Sequence, residues 1–243
     1  MISFGRAPNW VKNQDFTAAQ LSSHIYGYLS GVTELVLDRN TELRHVQIWD
    51  EEKAGEDFGG QTVLALLAVG NYVRQTMPGA RTYMGVNADN KEWLSNTRDL
   101  FERNMQLGNV VDVVGINYYP GAKTLVRGLA LWKPLDQLTG EINNSESPLY
   151  GKMGAVMETG YSTYGPGHGK VAQSAWIGTS LEKMISKIKK AAEYDHKIVA
   201  WNWNQFSDTP WLGRLKTGLL DSNYGITTNN VGLYAKKAGF GSL

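Results

Sequence analysis

Two acids in this chain stand where a short apolar run gives out. Gly154, Ala155, Val156 and Met157 run into Glu158, which is followed at once by Thr159, Gly160 and Tyr161. Arg44–Asp50, RHVQIWD, becomes apolar towards its end and runs into Glu51, Glu52 and Lys53. A parallel strand buried on both faces is apolar throughout, so a carboxylate belongs only where the strand emerges. Where strands alternate with helices, functional side chains gather at those emerging ends. Two strand-end carboxylates facing each other can act on a glycosidic bond. One protonates the leaving oxygen. The other attacks the anomeric carbon when the pair is roughly 5–5.5 Å apart, or activates a water when the gap is roughly 6.5–9.5 Å. The sequence leaves that gap open. It also leaves open blander roles: Glu158 as a solvated residue starting a loop, and Glu51 as part of an acidic cluster with Asp50, Glu52, Glu56 and Asp57. Such a cluster could bind a cation, although EF-hand spacing is absent.

The elements that must position these acids follow from periodicity. Thr17 is a good N-cap, and Leu21, Ile25, Tyr28, Leu29, Val32, Leu35 and Val36 recur at helical spacing up to Arg39. Thr62–Thr76 reads as an apolar helix, with Leu64, Leu67, Val69 and Val73 as buried candidates, stopped by Pro78 and Gly79. Arg81–Val86 reads as a strand opening into Asn87–Asn90. Trp93–Leu107 reads as an amphipathic helix closed by Gly108, and Val110–Ile116 as the most hydrophobic strand, ending in Asn117, Tyr118, Tyr119 and Pro120.

Further helices are expected around Leu125–Leu138 and over Ser174–Tyr194, where Lys183, Lys187 and Lys190 mark the outer face. Between them lie a polar loop, Asn143–Ser147, and a glycine-rich loop, Tyr161–Gly169. Lys197–Trp203 is the last clear strand, and a final helical segment is expected near Val231–Lys237. Short apolar strands alternating with helices imply a parallel sheet with crossover connections. No GxGxxG follows the first strand and no GxxxxGK[ST] occurs, so no motif supports a nucleotide fold.

Composition narrows the function classes. With 42% hydrophobic residues over 243, the chain can bury a large core, and it reads as one domain, 1–243. The 24 basic and 23 acidic residues nearly cancel, which offers no electrostatic footprint for nucleic acid or an anionic membrane. The absence of cysteine excludes disulfides, thiolate metal sites and a Cys nucleophile, and 4 His argue against a multi-His metal centre. No run of 18 apolar residues exists to span a bilayer. The N-terminus, MISFGRAPNW, lacks the basic start and apolar core of a signal peptide, and localisation is left open. The 8 Trp and 12 Tyr stand out because several fall beside strand ends, where rings can stack on sugars as well as pack a core. Trp10 and Trp211 fit either role. His168 reads as a surface loop residue, and His45 as a core or helix-contact residue before its strand.

Four strand ends, in order, resemble the clan A retaining glycoside hydrolases. Those barrels commonly end strand four in Asn-Glu, and this chain has Trp49-Asp50-Glu51. Their strand six often reads like DVVGIHYY, and Asp112–Tyr119 is DVVGINYY. Their strand seven ends in Glu, often followed by Thr-Gly and an aromatic, as in Glu158-Thr159-Gly160-Tyr161. Their strand eight carries a Trp beneath the sugar, and Trp201 and Trp203 alternate within AWNWNQFSD. The endo-β-1,4-galactanase branch is especially similar, with cellulases and mannanases close behind. The resemblance implies an α/β, TIM-type (β/α) barrel without a cofactor or metal, acting on a polysaccharide or oligosaccharide. By it, Glu158 is the nucleophile and Glu51 the general acid/base. Tyr119 would hydrogen-bond the nucleophile, and Trp203, or alternatively Trp201, would floor the cleaved-sugar subsite.

The chain departs from that pattern in three places. Asp50 replaces an Asn that donates to the substrate 2-hydroxyl, and an ionised Asp cannot donate. Its charge beside Glu51 tends to raise the pKa of one of the two. Asn117 replaces a His and changes one substrate contact. Six strands are expected, near Ile2, Val46, Tyr83, Val113, Val156 and Val199. If Val46 lies on strand four, the first two strand–helix units are missing, along with an Arg that contacts the nucleophile. An open barrel of about six units exposes strand edges, which favours a homo-oligomer closing it. The alternative reading is therefore a non-catalytic or weakly active carbohydrate-binding barrel fragment that assembles as an oligomer. A third is a barrel enzyme using the carboxylates with a metal.

Overall fold

The structure is a computed structural model and describes residues 2–3, 15–37, 43–52, 60–88, 91–118, 132–159, 182, 186 and 198–203. Strands and helices alternate through it. The strands are β1 (Ile2–Ser3), β2 (His45–Glu52), β3 (Arg81–Asn87), β4 (Val113–Tyr118), β5 (Met153–Thr159) and β6 (Ile198–Trp203). The helices are α1 (Ala18–Leu37), α2 (Gly60–Thr76), α3 (Trp93–Arg103), α4 (Leu107–Val110) and α5 (Trp132–Asn143). All six expected strands are present, in one sheet whose order is the order of the sequence, β1 to β6. The pairs β1/β2, β2/β3 and β5/β6 are parallel. Sequential parallel neighbours require a crossover between them, and α1 supplies it between β1 and β2 and α2 between β2 and β3.

The chain divides into two interleaved compact units. One comprises Met1–Gly115 and Gly140–Met153, the other Ile116–Thr139 and Gly154–Leu243.

In the first unit, α1 begins with a capping box. The Thr17 hydroxyl accepts from the Gln20 backbone N–H at 3.3 Å, and Gln20 Oε1 accepts from the Thr17 N–H at 3.0 Å. Its buried stripe is Leu21, Ile25, Leu29 and Thr33 at a strict spacing of four. Tyr28, expected in that stripe, is 67% exposed because it lies off the i, i+4 line. The α2 helix is buried on most sides. Leu66 and Val73 are fully covered, whereas Leu64 and Leu67 are only half-buried. The two helices are tied by the Tyr72 hydroxyl donating to Thr33 Oγ1 at 3.0 Å and by the edge-on Tyr26–Tyr72 ring pair. Gly70 on α2 abuts Val110 on α4, where an added Cβ would lie 2.6 Å from the Val110 Cβ. Such an approach between two elements needs glycine.

Several boundaries differ from the sequence reading. The helix from Trp93 ends at Arg103, and Gly108 does not close it but sits inside the separate short helix α4. That helix takes up Val110, so β4 starts at Val113 and runs on to Tyr118. The helix expected around Leu125–Leu138 is described from Trp132 and continues to Asn143, burying Leu135, Leu138 and Ile142. Finally, β2 carries on through Glu52, and His45 is its first residue. His45 is exposed rather than part of the core, and its Nδ1 lies 2.8 Å from the Tyr83 hydroxyl on β3. Of Ser174–Tyr194, Glu182 and Ser186 are helical. The remainder of that segment, Tyr161–Gly169 and Val231–Lys237 lie outside the described residues.

The N-terminal strand ends of the first unit share one polar lock. Asp112 Oδ1 accepts from Arg74 Nη2 at 2.5 Å, and Oδ2 accepts from the Thr82 N–H at 2.9 Å and the Thr82 hydroxyl at 3.1 Å. Backbone bonds join the three strands here, from the Asp112 N–H to Thr82 O and from the Met153 N–H to Asp112 O. Lys152 donates to the Gly108 carbonyl from the turn before β5. Burial pushes the Asp112 carboxyl up, but the bonds from Arg74 and Thr82 outweigh it and hold the group below its ordinary value. Burial also lowers Lys152, against the pull of Asp112.

Candidate active site

The two candidate acids each sit in a strand whose register slips at the acid. On β2, Trp49 pairs with Met84 and Glu52 with Val86, so three steps on β2 answer two on β3. Asp50 and Glu51 are the residues between those pairs. On β5, Val156 pairs with Trp201 and Thr159 with Trp203, so again three steps answer two. Met157 and Glu158 are the residues between. In both strands the glutamate is the last residue before pairing resumes. An extra residue of this kind breaks the strict alternation of faces and re-aims a side chain, and such irregularities are common beside active sites.

On β2, another slip precedes this one, between Gln47 and Trp49, and local side-chain chemistry spans it. Gln47 lies just before it, buried, and its amide Nε2 donates to the Trp49 carbonyl at 3.2 Å. Trp49 is itself buried, and its indole N–H has no acceptor among the described residues. Sequence reasoning named Trp49 only as the neighbour of Asp50.

On β5, Glu158 is half-buried between covered neighbours, Met157 and Thr159. It has interaction partners of its own in the structure. Thr159 is fully buried, and its hydroxyl finds no hydrogen-bond partner among the described residues. The β5/β6 register puts Trp203 opposite Thr159, one residue from Glu158, and Trp201 opposite Val156. Both tryptophans therefore belong to the strand beside the one carrying Glu158, with Trp203 level with its end.

Asn117 lies near the end of β4 and is fully buried. Its Oδ1 accepts no hydrogen bond among the described residues, while the residue has other interactions. Tyr118 ends the strand half-buried, and Tyr119 lies outside the described residues, as do Trp10, His168 and Trp211. Among the described residues, no group of three or more His, Asp or Glu side chains could hold a metal ion. No helix among them is long and apolar enough to cross a membrane. Asn87 also ends a strand, β3, and is half-buried. The sequence reading passed over it as the start of a loop. The signal was present in the apolar run before it, the same pattern that singled out Glu158.

No protein-family model matches the chain, and no curated protein matches it in sequence. Solved structures do match it. The Ignisphaera aggregans GH53 catalytic domain aligns with 93% of this chain and 67% of its own, with a TM-score of 0.60 at 16% identity. A structure of fungal β-1,4-galactanases aligns over 92% of this chain and 71% of its own, with a TM-score of 0.63 at 15% identity. Xylanase 10B from Thermotoga maritima covers 95% of this chain and 71% of its own, with a TM-score of 0.60 at 12% identity. At these identities the likeness establishes the fold, which is α/β of the TIM type and resembles the glycoside hydrolase barrels. The α/β class expected from strand–helix alternation, and the TIM-type fold that the resemblance implied, are the ones observed.

Proposed function

We propose that the chain is a retaining glycoside hydrolase that cleaves a β-linked polysaccharide or oligosaccharide by double displacement. The observation that carries this reading is the matched pair of strand ends. Glu51 and Glu158 each stand one residue before the end of their strand and each occupy the last position of a three-for-two slip. The likeness in fold to galactanase and xylanase structures supports the substrate class. The chemistry needs no cofactor. A Glu158 carboxylate oxygen bonds to the anomeric carbon as the glycosidic C–O bond breaks, and Glu51 gives its proton to the departing oxygen. Glu51 then takes a proton from water, the water oxygen bonds to the anomeric carbon, and the ester to Glu158 breaks, which restores both groups with retained configuration. Trp203 would lie beneath the reacting sugar. Asn117, being fully buried, would act by orienting its neighbours.

One sequence feature favours a second reading, a carbohydrate-binding barrel with little turnover: Asp50 stands beside Glu51 in place of a neutral donor. Assembly as a homo-oligomer belongs with that reading. Reducing-sugar release from galactan, mannan, xylan and cellulose derivatives separates the two. Release by the parent protein is expected, with a loss of roughly 10²–10⁴-fold in Glu51→Gln and a larger one in Glu158→Gln. Saccharide binding without release by the parent would establish the second reading.

A further inference from the structure

The β3 strand ends as β2 and β5 do. Tyr83, Met84 and Val86 are buried, and Asn87 is the first side chain after Thr82 that is neither apolar nor glycine. It is half-buried at the C-terminal end of the strand. Register fixes its place, because Val86 pairs with Glu52 and Asn87 is one step further along. Asn87 and Glu51 thus belong to the same end of two adjacent strands within one compact unit.

The chemistry of the two ends is complementary. The β2 end presents Asp50, Glu51 and Glu52 in succession. An ionised carboxylate only accepts hydrogen bonds, so that end holds at most the proton that Glu51 must deliver. A carboxamide has two donors and an acceptor and carries no charge. It therefore offers a sugar hydroxyl a donor that the carboxylates of Asp50, Glu51 and Glu52 do not, without disturbing the protonation of Glu51.

We propose that Asn87 is a further substrate-binding residue, whose carboxamide donates to one hydroxyl of the sugar next to the bond that Glu51 protonates. The inference rests on the glycosidase reading. Its test compares the parent, Asn87→Ala and Asn87→Asp on aryl β-glycosides of the sugar the parent cleaves best, together with the monodeoxy series of the same glycoside. Asn87→Ala is expected to lose about five- to tenfold in kcat/KM on the full sugar. It should show no further loss on the one monodeoxy glycoside that lacks the contacted hydroxyl. Asn87→Asp keeps the shape but removes the donor, and should lose at least as much. A uniform loss across the whole series would mark a merely structural role and overturn the inference, as would unchanged kinetics in Asn87→Asp. A parent that cleaves no glycoside would instead overturn the glycosidase reading, and the inference with it.

Discussion

At the scale of single residues, one charge is held firmly by several partners, that of Asp112. Asp112 sits at the opposite end of the sheet's strands from Glu51, and Arg74 and Thr82 satisfy both of its oxygens. Removing one partner of a part-buried ion pair strands the other, and solvent screening softens the penalty because the Arg74 and Asp112 side chains are 33% and 23% exposed. Asp112→Asn should therefore cost about 1–3 kcal/mol at neutral pH, read from urea midpoints. The sign of its pH dependence follows from the shift. The folded-state pKa of Asp112 is lowered, so its contribution is complete above the unfolded value near 3.8 and is lost as pH falls through the folded one. The difference between parent and variant should stay constant from pH 7 down to about 5 and shrink below about 4. A difference that grew towards acid would contradict the lock. Sequence reading found Asp112 only as the first letter of DVVGINYY, because an ion pair between residues on a helix and a strand leaves no local pattern.

At the scale of elements, glycines on two helices make opposite predictions. Ala is a better helix former than Gly by about 1 kcal/mol in a helix interior. On α1, nothing lies within 4 Å of a Cβ added at Gly27, so Gly27→Ala should stabilise by about 0.5–1 kcal/mol. On α2, the Gly70 Cβ would meet Val110, so Gly70→Ala should destabilise by about 1–3 kcal/mol despite its better propensity. Thermal melts of the two variants check both signs together. This contrast also shows what the sequence could carry. The Thr17 cap, the α1 stripe and all six strands were legible because each depends on residues a few positions apart. The break at Arg103 and the restart at Leu107 were not, because Leu107 and Val110 continue the apolar spacing of the helix before them. The slips at Glu51 and Glu158 were equally hidden. A strand's register is a property of two strands, and the partner residues Met84, Val86, Trp201 and Trp203 lie far along the chain. The candidate site was thus readable as residue types at strand ends, while the geometry that sets their direction was not.

At the scale of the whole molecule, folding is tied to chain connectivity. The first unit is built from Met1–Gly115 and Gly140–Met153, so its second segment must return to it from the other unit. The returning segment does more than fill space. Leu149 is fully buried, Lys152 donates to the Gly108 carbonyl, and the Met153 N–H bonds the Asp112 carbonyl. Gly151 makes the return turn at φ 75°, a conformation that favours glycine, and its N–H bonds the Ile142 carbonyl. A fragment of residues 1–115 keeps β1 to β3 and α1 to α4, yet it leaves the Asp112 and Gly108 carbonyls without these donors and lacks the buried Ile142 and Leu149. An unpaired strand edge above an uncovered apolar face does not hold specific packing. The fragment should therefore retain helical far-ultraviolet circular dichroism but lose near-ultraviolet signal and a cooperative urea transition, as a compact state without fixed packing does. Adding 140–153 through a flexible linker should restore part of the transition. A fragment of 1–115 that unfolded as sharply as the full chain would show that the returning segment is dispensable, and that the first unit folds from its N-terminal portion alone.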